Sequence, residues 1–88
     1  MEMKTTLTGF AIVIADRGFV WVGNTEVDGE WCVITNASNI RRWGTTRGLG
    51  ELAENGPTAD TTLDPTGSVR IPIGSVVALI ESEEKKWK

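Results

Sequence analysis

The apolar stretches of this chain are short, rich in Val and Ile, and separated by Gly, Asn, Asp or Pro. That punctuation points to strands joined by turns. Phe10 to Ile14 reads as a first strand, ended by a turn at Asp16-Arg17-Gly18. Phe19 to Val27 reads as a second, with Gly23 a bulge or bend inside it. Asp28-Gly29 is a two-residue hairpin signal, because a type I′ turn needs positive φ at both central positions. Trp31 to Thr35 then returns antiparallel, and a hairpin closed at Asp28-Gly29 pairs Glu26 with Trp31. Val69 to Ile73 and Val76 to Ile80 give two further strands, parted at Gly74-Ser75.

One helical signal lies between the halves. Leu49, Leu52 and Ala53 fall at i, i+3 and i+4, a single face of a short helix. Asn55-Gly56-Pro57 ends it, glycine taking the left-handed cap and proline blocking continuation. Thr58 to Gly67 is polar and turn-rich, an exposed loop or a frayed edge strand. Ser82-Glu83-Glu84-Lys85-Lys86 runs from cap to acids to bases, the order a short terminal helix prefers. Trp87 is then an anchor on the barrel or on a neighbouring subunit. The expected fold is mostly β: a single domain over residues 1–88, a bent SH3-like or Sm-like barrel of five to six strands. It carries one short central helix and a short C-terminal helix or tail.

Bulk properties limit the function classes. A chain of this length buries only about 60–65% of the surface its unfolded form exposes. Self-association would add burial, so a homo-oligomer is expected. Four tryptophans without a tyrosine exceed what so small a core hides, leaving some for an interface or ligand site. Nine basic and twelve acidic residues give a net charge of −3, with no histidine. A general nucleic-acid binder needs a basic surface, so that class is disfavoured. Cys32 is the single cysteine, in the apolar run Trp31-Cys32-Val33-Ile34, which suits a reducing compartment and a packing role. The apolar run from Phe10 to Ala15 spans six residues, short for a signal-peptide core and far short of a membrane span. The expectation is a cytoplasmic protein with no membrane partner. Asn36-Ala37-Ser38 matches a glycosylation sequon that carries no weight without a secretion signal.

Catalysis is disfavoured because a nucleophile needs a base within reach, and histidine, the usual one, is missing. The serines lack triad context, and the acids lack metal-binding order, so no metal and no cofactor are expected. The stretch from Ile40 to Gly50 is different. Its eleven residues hold three arginines, two threonines, three glycines and a tryptophan, within an acidic chain. On an extended segment Ile40 and Arg42 face one way, Arg41 and Trp43 the other. Arg41, Arg42 and Arg47 would then contact phosphate while Trp43 stacks on a base. Thr45, Thr46 and the N–H groups that open the helix would complete an anion cradle. The competing reading buries Trp43 in the core and pairs the arginines with surface acids. Asn36, at the end of its strand, and Trp21 are secondary candidates, the former as a base-edge reader.

Three segments together carry a resemblance: Gly18-Phe19-Val20-Trp21-Val22-Gly23, then Thr35-Asn36-Ala37-Ser38-Asn39-Ile40-Arg41-Arg42-Trp43, then Gly48-Leu49-Gly50-Glu51-Leu52-Ala53-Glu54-Asn55-Gly56-Pro57. They resemble a family of short phage and prophage proteins known only as a domain of unknown function. The resemblance covers about Gly18 to Trp87 and implies a phage protein acting in the bacterial host cytoplasm. By analogy of role, small non-catalytic phage proteins with a cationic, nucleotide-sized site resemble the sponges that sequester immune second messengers. The implied ligands are cyclic oligonucleotides or cyclised ADP-ribose. Two rivals come from other classes. One is an Sm-like or SH3-like module gripping single-stranded nucleic acid; the other is a phage protein-interaction module using its tryptophans as a contact surface.

Overall fold

A computed structural model describes residues 9–45 and 48–87. Five antiparallel strands form one sheet in the order β4-β3-β2-β1-β5. They are β1 (Gly9–Ala15), β2 (Val20–Asp28), β3 (Trp31–Arg42), β4 (Thr62–Pro72) and β5 (Val76–Glu81). A helix, α1 (Leu49–Asn55), joins β3 to β4, and single 3-10 turns follow β1, β4 and β5. The fold is thus mostly β, as the punctuation predicts. Pro65 and Pro72 are tolerated in β4 because it is an edge strand, where a missing donor disrupts no second ladder.

Two apolar clusters stabilise the sheet, one on each side. The first joins Ile12, Val20, Val22 and Ile40 to Leu52 and Ala53 of α1, with Phe10, Leu63 and Trp87 packed at its margin. The second gathers Val13, Ala15, Cys32, Ile34, Ala37 and Ile71, with Trp21 and Val69 alongside. Leu79 of β5 also packs there, so the sheet curls until both of its edge strands share one cluster. This is a small β-barrel-like fold whose ladders leave β4 and β5 as the two edges.

A bulge lets β3 serve both clusters. Val22 pairs with Ser38 and Asn24 with Thr35, so Asn36 and Ala37 together face Gly23. The extra residue lies on β3, where Asn36 takes a φ of 51°. Alternation therefore changes phase: Cys32 and Ile34 point into the second cluster, Ile40 into the first. Gly23 is the residue that permits the close approach.

The hairpin differs from the expectation by one residue. Asp28 pairs with Trp31, which leaves Gly29-Glu30 as the two loop residues. Gly29 has a φ of 64° and Glu30 is not among the positive-φ residues, so the turn is not type I′. Glu26 consequently faces Val33 rather than Trp31. Shifting a two-residue turn by one position moves every pair by two, which preserves the inside–outside pattern. That is why the pattern alone did not reveal it. β3 also runs on to Arg42 instead of ending near Thr35, and β4 begins at Thr62, within the stretch read as loop or edge strand.

The helix ends as expected, with the Gly56 N–H donating to the Leu52 carbonyl at 2.7 Å and a Gly56 φ of 84°. The last turn, Glu84–Trp87, is 3-10 rather than α. Trp87 anchors on its own fold: its ring lies 6.0 Å from Phe10, and its Nε1–H donates to Ser82 Oγ at 2.9 Å.

Candidate functional site

β3 delivers Arg41 and Arg42 to the end of the sheet, and the turn after it presents Trp43. Ile40 pairs with Leu63 and Arg42 with Thr62, so Arg41 is an extra residue bulged out against the edge strand. The expected alternation fails here for that reason. Ile40 is buried, but Arg42 does not share its face; Arg41, Arg42 and Trp43 are all exposed. The Arg41 guanidinium reaches Asp64 at 3.1 Å, with both side chains about half in water. An exposed pair of this kind contributes at most about 1 kcal/mol. Arg42 has no ion pair among the described residues.

Trp43 leaves 42% of its surface in water. Its backbone is nevertheless pinned: Thr61 Oγ1 donates to the Trp43 carbonyl at 2.7 Å, and Thr58 Oγ1 to the Gly44 carbonyl at 2.8 Å. The Thr58 N–H bonds Thr61 Oγ1 at 2.9 Å, so the two threonines form one clamp. Gly44 has a φ of 66°, and an added Cβ would lie 2.5 Å from the Asp60 carbonyl carbon. The indole is therefore exposed on a fixed mount. Neither the core reading of Trp43 nor a free loop describes it.

The remaining predicted residues are dispersed. The Thr45 hydroxyl is occupied within its own loop, donating to the Gly48 carbonyl and accepting from the Gly48 N–H, each at 3.0 Å. Thr46 and Arg47 lie outside the described residues. Asn36 is exposed in the β3 bulge, where its φ matters more than its amide. Trp21 is half-buried near the start of β2 and pairs with Asn39, two positions before Arg41 on the neighbouring strand.

Trp21 leads to residues that the sequence did not single out. Its ring stacks on that of Phe19, with centroids 6.4 Å apart and planes 15° apart. The pair forms one side of a cleft of about 220 Å³, lined also by Asp16, Arg70, Pro72 and Ser75. Phe19 and Arg70 lie fifty-one positions apart in the chain and meet only because the sheet curls. No periodicity signals such a meeting. Among the described residues, no three His, Cys, Asp or Glu side chains are grouped to hold a metal ion. Burial pushes the thiol of Cys32 above its ordinary pKa, which favours the neutral form. No helix among those residues is long and apolar enough to cross a membrane.

Comparisons with family models, curated proteins and solved structures returned no match to this chain.

Proposed function

We propose that this protein binds, without catalysis, an anionic ligand derived from nucleotides, and that the Arg41–Arg42–Trp43 end is its recognition surface. One observation carries the reading: an indole with two-fifths of its surface in water is held on a backbone pinned by two threonine hydroxyls. An exposed indole on a held backbone is a base-stacking platform, with the backbone part of its ordering cost met before the ligand arrives. Among the described residues Arg42 has no ion pair and Arg41 has an exposed one, so both can turn to phosphate at little cost. In a chain of net charge −3, the positive surface this makes is local, which suits a small ligand better than a long polyanion.

The biological role proposed is that of a phage anti-defence sponge, a homo-oligomer that sequesters an immune second messenger in the bacterial cytoplasm. The cyclic oligonucleotides and cyclised ADP-ribose have the phosphates and bases this surface would select. The test is native mass spectrometry of the protein from cells with antiviral signalling on and off. A retained adduct of nucleotide mass, present only with signalling on, is expected. Arg42→Ala and Trp43→Ala should each deplete it, since losing a charged hydrogen bond costs about 1.5–3 kcal/mol and losing a stacked base about 1–3 kcal/mol. Equal adduct in either variant would rule out this surface. A clean protein under both conditions would move the reading to protein interaction, which the exposed Trp31 and Val77 favour.

A further inference from the structure

The cleft beside Trp21 is lined by none of Arg41, Arg42 and Trp43, and its reading does not depend on the function proposed for them. From its lining we infer that it binds a planar ring that carries an anionic group and a hydrogen-bond donor.

Three features point the same way. The first is the stacked Phe19–Trp21 pair, which offers an aromatic face. Phe19 keeps 53% of its surface in water, whereas Trp21 is fixed by packing on the second cluster. Aromatic faces of this kind take further flat rings by offset stacking. The second is charge. Arg70 and Asp16 both line the cleft, and they form no ion pair with each other or with another described residue. A guanidinium left open in a mostly apolar cleft suits a phosphate or carboxylate. The Asp16 carboxylate suits an amine or ammonium on the same ligand. The third is size. A cleft of about 220 Å³ has room to seat one ring system and a compact charged group.

Two kinds of molecule share that chemistry: a nucleoside monophosphate whose base carries an exocyclic amine, and a zwitterionic aromatic amino acid. The experiment separates them. Isotope-labelled full-length protein is titrated to millimolar concentration with adenosine monophosphate in one arm and phenylalanine in the other. Amide and indole N–H shifts are followed by NMR, with inorganic phosphate as the ring-free control. Shifts concentrated at the Trp21 indole and the amides of Phe19, Arg70 and Ser75 are expected from one of the two. The arm that responds identifies the source. Arg70→Gln should weaken that binding about ten- to hundredfold. Arg70 is exposed on an edge strand, so the variant's spectrum should otherwise match the parent's. The inference is overturned if neither probe shifts these signals, if phosphate alone reproduces them, or if folded Arg70→Gln binds as well as the parent. Shifts centred on Trp43 would also overturn it, while supporting the other surface.

Discussion

A methyl group added at Gly23 would meet Ile34 Cγ2 at 2.7 Å and the Thr35 carbonyl oxygen at 2.8 Å. One of those neighbours is a backbone atom of the bulge, so relief requires the ladder to move. Gly23→Ala is therefore expected to lower stability by about 1–3 kcal/mol in chemical denaturation, the usual cost of overpacking. An unchanged midpoint would mean that the bulge is softer than its contacts imply. Cys32 gives a prediction in pH. Because burial raises its pKa, the folded chain holds the thiol proton more tightly than the unfolded chain does. That contribution is complete below the ordinary thiol pKa and is lost as pH rises through it toward the folded value. Denaturation midpoints should thus fall on the alkaline side, and more gently in Cys32→Ala. Parallel alkaline slopes in the two proteins would exclude Cys32 as the source.

At the scale of elements, α1 is held by the end of the chain. Ser82 Oγ donates to the Ala53 carbonyl at 2.7 Å and accepts from the Trp87 indole, while Lys86 Nζ donates to the Glu54 carbonyl at 2.7 Å. A seven-residue helix is too short to persist by propensity alone, so these contacts and Leu52 burial sustain it. Ser82→Ala should cost about 1 kcal/mol by removing the part-buried hydroxyl that joins the Ala53 carbonyl to the Trp87 indole. The sharper expectation is local: amide exchange should accelerate across α1 well before it does in β2. Uniform acceleration would show that the helix and sheet unfold as one unit. The helix itself was legible from Leu49, Leu52 and Ala53, because a 3.6-residue period is a local property. The Trp87 anchor was partly legible too. The phase change at Asn36 and the bulge at Arg41 were not, since each depends on how a partner strand counts its residues. The same limit hid the Phe19–Trp21–Arg70 cleft, whereas the Arg41–Arg42–Trp43 cluster was visible as neighbours in the chain.

For the whole molecule, the two sheet edges matter most. β4 carries two prolines, which blunt it against further pairing, but β5 presents Val77 with 68% of its surface in water beside exposed Ala78. If the chain self-associates as proposed, this edge is the expected seam. Val77→Lys should then lower the mass measured by light scattering without changing the circular dichroism of the sheet. An unchanged mass would place the seam elsewhere. The order of the strands has another consequence. β1 is flanked by β2, which follows it at once, and by β5, which is among the last parts of this sequence to be synthesised. On the ribosome, the meander from β1 to β4 can assemble while the far side of β1 still lacks its neighbour. Phe10 must also wait for Trp87. Until β5 has followed, the nascent chain therefore carries a row of unpaired backbone N–H and C=O groups along the far side of β1.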